Sequence, residues 1–239
     1  MVIYLKEIAL SIVLPCYNEE KNIPDMLKRF SEAILSEDIE VVLVNNGSLD
    51  RTEEVIRKEI SNNGYTFATI AKVEKNIGYG YGVMTGLRNA KGEYVAFTHA
   101  DLQCDPGDVI RAYELLRSSK EPKATLVKGK RIGRNSIISN ILLALSSILF
   151  LNKFSDINAQ PKVFHSSFLS KLKTPPNDFT FDLYIQYVAL KNKMTVLDIP
   201  VEFLERKHGQ SNWSSTFRSR FKAMVGFVLY LFKLRLFGD

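Results

Sequence analysis

The chain has 239 residues, 46% of them hydrophobic, and sets 32 Lys and Arg against 26 Asp and Glu for a formal charge of +6. That hydrophobic content can bury the core of one large domain and excludes a disordered chain. The modest basic excess favours phosphate-bearing ligands or anionic membrane surfaces and, with no nucleic-acid-reading motif beside it, excludes nucleic acid as a partner.

The opening MVIYLKEIALSIVLP carries Lys6 and Glu7 within its apolar run and lacks a small-residue cleavage site, so a first strand is expected rather than a signal peptide. Cys16 and Cys104 make neither a disulfide framework nor a Cys-x-x-Cys pattern, which suits a reducing, cytosol-facing compartment. Short β-branched runs predict strands at 8–14, 39–44, 66–72, 94–98 and 124–130. Between them, helices are predicted at 23–35, with Asn22 as N-cap and Pro24 in the first turn, and at 50–60, 82–90 and 108–118. Strand and helix alternating at short spacing imply an α/β fold, a mostly parallel sheet with helices on both faces and ligands at the carboxyl ends of the strands.

Polar loops fall at those ends: PCYNEE (15–20), NNGSLDRT (45–52) and HADLQ (99–103). The glycines of NIGYGYGVMTG (76–86) do not give G-x-G-x-x-G, which argues against a nicotinamide dinucleotide and for a close-packed turn ahead of a helix.

With LPCYNEE, VNNGSLDRT, NIGYGYGVMTGLRNAKGEYVAFTHADLQCDP and IPVEFLERKHGQSNW in this order, residues 8–213 resemble the inverting family-two glycosyltransferases of GT-A fold. The dolichyl- and polyprenyl-phosphate sugar synthases are the members most alike. The resemblance implies a Rossmann-like nucleotide-diphosphosugar transferase. Such an enzyme moves a hexose-type sugar from a nucleotide diphosphate sugar to a polyprenyl (dolichyl or undecaprenyl) phosphate at the cytosolic membrane face. By the same resemblance, Pro15, Tyr17, Glu19, Asn46, Ala100 and Asp101 bind the nucleotide sugar. Asp101 and Gln103 hold a divalent metal, Mn or Mg, with His99 standing where the family has a first acid. Arg131, Arg134, Arg206, Lys207 and Ser211 meet the acceptor phosphate. Catalytic roles fall to Asp101, Arg131, Arg206 and Asp182. Asp178 and Tyr184 are rivals for the Asp182 position, where sugar-accepting relatives keep an acid.

The departures remove charge. Asn45, Asn46 and His99 replace three acids of the family pattern. An amide still donates and accepts, so Asn46 can bind a base or ribose. Imidazole suits softer ions than Mg²⁺, so His99 is expected to shift preference toward Mn²⁺ or to weaken metal dependence. Two other functions stay open: transfer to a saccharide or glycolipid hydroxyl, which would need a general base, and a catalytically silent nucleotide-sugar-binding subunit.

The uncharged run 136–152 falls short of the about 20 residues that span a bilayer, so it is either a buried helix or an interfacial one bordering a groove for a polyprenyl tail. Near the C-terminus the apolar run 223–232 lies between Lys222 and Lys233; as a helix it reaches about 15 Å, half the hydrocarbon core. It is expected to be a monotopic anchor or a docking helix for a small membrane subunit, the alternative being a helix folded onto the body or into a homo-oligomer. The division predicted is a GT-A domain over 1–212 and this C-terminal interfacial helix over 213–239, on a cytoplasmic protein held peripherally at the membrane.

Overall fold

The computed structural model describes residues 7–133, 136–206, 208 and 217–238. Among them run seven strands: β1 (Leu10–Cys16), β2 (Ile39–Asn46), β3 (Ala68–Val73), β4 (Tyr94–Phe97), β5 (Thr125–Arg131), β6 (Lys162–His165) and β7 (Thr195–Val201). The helices are α1 (Ile23–Ala33), α2 (Thr52–Asn63), α3 (Tyr79–Asn89), α4 (Pro106–Arg117), α5 (Ile137–Phe150), α6 (Phe181–Lys191) and α7 (Phe217–Phe237). One sheet takes the order β3-β2-β1-β4-β6-β5-β7. All its pairs are parallel except those of β6, which runs antiparallel to β4 and β5.

In β1, Leu10, Ile12, Leu14 and Cys16 enter one core and Val13 the other, the pattern of a strand covered on both faces. α1, α2 and α4 pack on the first face, and α3, α5, α6 and α7 on the second. α1 buries Ile23, Met26, Leu27 and Phe30, an i, i+3, i+4, i+7 stripe. α4 starts at Asp105, whose carboxylate accepts the Gly107 N–H at 2.6 Å, with Pro106 next. Asn22 occupies the N-cap of α1, yet its side chain makes no capping bond and donates to Glu19 Oε2 instead.

The 76–86 glycines are close-packed, but only Gly78 lies ahead of the helix, with Gly80, Gly82 and Gly86 inside it. On α3, a Cβ added at Gly86 would lie 2.2 Å from Val13 Cγ1 and 2.8 Å from Val44 Cγ2, so only glycine brings the helix this near the sheet. The second half of the chain holds elements that periodicity did not reveal. β6 is four residues long and includes a lysine, β7 contains Asp198 and Pro200, and α6 lacks a polar face because it is enclosed from Phe181 to Ala189, Asp182 and Gln186 included.

Both apolar runs become helices on the second face. Only Ser146 of α5 is fully buried, so the enclosed-helix alternative for 136–152 does not hold. α7 inserts Phe227, Leu231 and Leu234 into the core cluster of α3 and α6 while leaving Phe221, Leu229, Phe232 and Leu236 exposed. It is thus folded onto the body through one face and apolar on another.

Candidate active site

After β1 the chain winds outward through β2 and β3, then returns to lay β4 on the opposite side of β1. Loops leaving β1 and β4 therefore diverge and open a crevice at the carboxyl ends, the switch point where such sheets take ligands. The β1 and β2 loops form one stitched wall. Asn18 N–H donates to Ser48 Oγ (3.1 Å), Leu49 N–H to Asn18 Oδ1 (2.8 Å), Glu19 N–H to Thr52 Oγ1 (2.8 Å) and Glu20 N–H to Asp50 (3.2 Å). Asn18 adopts φ 57°, a left-handed conformation that asparagine tolerates. Pro15, Tyr17 and Glu19 are half-buried along this wall.

The two asparagines that replace acids behave differently. Asn45 is local: its Oδ1 accepts the Ser48 N–H at 3.1 Å and its Nδ2 donates to Glu53 at 3.0 Å. Asn46 is buried beside the N-terminus of α3, its Nδ2 donating to the Gly78 carbonyl at 3.0 Å. Its Oδ1 has no hydrogen-bond partner among the described residues. A Cβ at Gly82 would come within 2.7 Å of the Asn46 amide, so that glycine makes room for it.

Asp101, at the tip of β4, is 5% exposed and turned inward. Its Oδ1 accepts the Gln103 N–H at 3.2 Å and its Oδ2 is paired with Arg206 Nη2. Arg206 and Asp101 both act on Glu19, whose carboxyl is pushed above its ordinary value chiefly by burial. The β1 loop, the β4 tip and the segment after β7 therefore meet at one point, and Ala100 is buried beside it. Gln103 does more than follow the acid. Its Nε2 donates to the Leu204 carbonyl at 3.1 Å and its own carbonyl accepts the Leu204 N–H at 3.0 Å, which clips the Arg206 segment to the β4 loop.

Beneath lies a polar floor that the sequence reading missed. Lys162 of β6 is fully buried and ion-paired with Asp182 at the start of α6, and it also donates to the Ala159 carbonyl at 3.1 Å. Gln160 Nε2 donates to Asp182 at 2.9 Å and to Tyr79 Oη at 3.2 Å. A carboxylate only accepts, so Asp182 fixes which way that amide faces. Tyr79 stacks on Phe179 with ring centres 5.2 Å apart. His99 is half-buried near Tyr79, and burial lowers its imidazole below the ordinary value against the pull of Asp101 and Asp182. A neutral ring keeps a lone pair free for a ligand.

Two of the expected site residues are engaged by neighbouring side chains. Asp182, expected as a catalytic or acceptor-site residue, has its carboxylate held by Lys162 and Gln160. Arg131, expected at the phosphate, grips Asp156 through Nε (2.9 Å) and Nη2 and lies 5.5 Å from the Phe203 ring centre. Asp178 serves as a local cap, accepting the Thr180 N–H at 2.9 Å, and the Tyr184 hydroxyl accepts the Thr174 N–H at 3.1 Å. Arg134, Lys207 and Ser211 lie outside the described residues.

Among the described residues no group of three or more His, Cys, Asp or Glu could hold a metal unaided. Asp101, as an oxygen donor, and the neutral His99, as a nitrogen donor, fit an ion that draws its remaining ligands from a diphosphate. Along α5 and α7, Ile138, Ile141, Leu145, Met224, Val228 and Leu229 line an open apolar groove of about 270 Å³. Exposed Lys222, Lys233 and Arg235 stand on α7. No described helix is long and apolar enough to cross a membrane.

A switch-point crevice with an inward carboxylate at the β4 tip, in a mixed seven-stranded sheet covered on both faces, is the GT-A glycosyltransferase arrangement. The chain belongs to glycosyl transferase family 2, whose model matches residues 11–181. It is similar to the undecaprenyl-phosphate 4-deoxy-4-formamido-L-arabinose transferase of Edwardsiella ictaluri, 27% identical over 209 residues that make up 85% of this chain and 62% of that protein. The same-named protein of Pseudomonas fluorescens (strain Pf0-1) is 27% identical over 85% of this chain and 60% of its own length. The chain thus spans only about 60% of the length of these curated relatives. In fold it matches glucosyl-3-phosphoglycerate synthase from Mycobacterium tuberculosis, solved in complex with Mn²⁺, uridine-diphosphate and phosphoglyceric acid. The TM-score is 0.74 at 18% identity over 95% of this chain and 78% of that one. The same enzyme with Mg²⁺ and uridine-diphosphate gives a TM-score of 0.71 at 18% identity over 93% of this chain and 79% of that one.

Proposed function

We propose that this chain transfers a sugar from a nucleotide diphosphate sugar to a polyprenyl phosphate, with inversion at the anomeric carbon, on the cytosolic face of a membrane. The observation that carries this reading is the meeting of Asp101, Glu19 and Arg206 at the switch point, within reach of a nucleotide on the β1–β2 wall. The names of the similar proteins support a lipid-phosphate acceptor, and so does the apolar groove along α5 and α7.

The chemistry suits the residues. An acceptor phosphate is already an oxyanion near neutral pH, with a second pKa of about 6, and attacks without help from a strong base. Asp182, committed to Lys162, agrees with an acceptor that needs none. Negative charge grows on the departing diphosphate, and Arg206, beside Asp101, would supply a guanidinium to stabilise it in the transition state. Asn46 and the stitched wall orient the nucleoside. A divalent ion at Asp101 and His99, when bound, adds Lewis-acid charge to the same leaving group.

The test is incubation with a labelled nucleotide sugar and undecaprenyl or dolichyl phosphate. Acid-labile, organic-extractable label is the expected product, and it should vanish in Asp101→Asn. Label only in hydroxyl acceptors would overturn the lipid-phosphate reading, and donor binding with no turnover on any acceptor would identify a silent subunit.

A further inference from the structure

We propose that Arg206 is a built-in stand-in for the divalent ion: the guanidinium and the metal compete for the Asp101 carboxylate, and an arriving nucleotide draws the arginine over to its diphosphate. The inference rests on the metal-and-diphosphate reading of this site and adds how the site behaves before the donor arrives.

A carboxylate that is 5% exposed cannot stand without a positive partner, and Arg206 Nη2 on Oδ2 supplies one. Oδ1 is occupied by the Gln103 N–H. A metal ion seeking Oδ2 meets a like charge already seated there. Asp101 is the one carboxylate among the three residues that the resemblance assigns to the metal, because His99 contributes an imidazole and Gln103 an amide. Before a nucleotide arrives, an ion therefore gains little over the arginine it must displace.

The pairing is also half-made. Arg206 Nε is buried and has no hydrogen-bond partner among the described residues, so the planar fork keeps a donor in reserve. Parallel N–H groups of a guanidinium match the oxygens of a phosphate. Two residues upstream, Leu204 is clipped to Gln103 through both its N–H and its carbonyl, which keeps a displaced Arg206 beside the site. Nucleotide and metal should consequently bind with positive coupling, since a diphosphate gives the ion oxygens and the arginine a new partner.

The experiment titrates Mn²⁺ into the whole chain without nucleotide and reads free Mn²⁺ by its electron paramagnetic resonance. Arg206→Met should bind Mn²⁺ about tenfold tighter than the parent, because the buried carboxylate then lacks its counter-charge. Arg206→Gln, which removes the charge but keeps a hydrogen-bond donor, should also bind more tightly, and Arg206→Lys should stay as weak as the parent. Mn²⁺ should raise the melting temperature of the Met and Gln variants by more than that of the parent. Equal or weaker Mn²⁺ binding in both uncharged variants overturns the competition. Asp101→Asn separates the two readings: if it retains full Mn²⁺ affinity in the presence of uridine-diphosphate, the metal site itself is wrong and the competition falls with it.

Discussion

Lys128 of β5 and Lys162 of β6 stand in register, both fully buried, with Asp198 in register on the far side of Lys128 and Asp182 ion-paired to Lys162. Breaking such a pair from one side leaves a buried charge alone. Asp182→Asn is therefore expected to lose about 3–5 kcal/mol of stability in urea unfolding. Stability unchanged alongside a collapsed transfer rate would instead return Asp182 to the role of base. Burial lowers Lys128 from the ordinary 10.5 to about 8, with Asp198 pulling the other way. The unfolded chain then binds more protons than the folded one between about pH 8 and 10.5. This lysine's penalty is full below that window and relieved as pH rises through it. Parallel urea titrations should show the parent gaining stability relative to Lys128→Met from pH 8 to 10.5; a flat or falling difference refutes the assignment. Asp101, Glu19 and Arg206 were legible because each sits in a short string beside its neighbours. Lys162, Gln160 and Tyr79 were not, since Gln160 finds Asp182 22 positions away and Tyr79 81 away, distances that only the fold closes.

Among the elements, the strands and helices up to β5 were readable because each alternates with turn signals, and most boundaries moved by two residues or fewer. α3 differs in where its glycines lie: Gly86 lets the helix approach Val13 and Val44, and Gly82 makes room for Asn46. Gly86→Ala should cost about 1–3 kcal/mol by overpacking against Val13 and Val44, measurable as a lower urea midpoint at constant slope. α7 was half-read. Its periodicity is blurred because it is apolar toward the core through Phe227, Leu231 and Leu234 and apolar outward through Phe221, Leu229 and Phe232. On the membrane reading, Leu229→Glu should weaken sedimentation with anionic vesicles about tenfold without lowering the melting temperature. Leu231→Glu should lower it. Equal vesicle binding by Leu229→Glu would turn that face over to another partner.

For the molecule as a whole, the reversal of strand order between β1 and β4 brings three distant loops to one crevice; the alternating pattern implied the parallel sheet and a site at the carboxyl ends of its strands, not the strand order. The antiparallel insertion of β6 did not follow, and with it went the polar floor it carries. A nucleoside diphosphate with Mn²⁺ should stabilise the folded state; at a hundredfold over Kd the gain is about 2.7 kcal/mol, read as a rise in melting temperature. No rise for any nucleoside diphosphate, with or without Mn²⁺, would leave the crevice without its donor. The way α7 is fastened carries one more implication. On the membrane reading, a helix bolted to the body along one side and wetted by lipid along the other could not swing like a tether, so side-chain packing would set how deeply the protein settles. The rim's height above the headgroups would then become a fixed dimension, and the proposed lipid-borne phosphate would be met at that level without being lifted out of its leaflet.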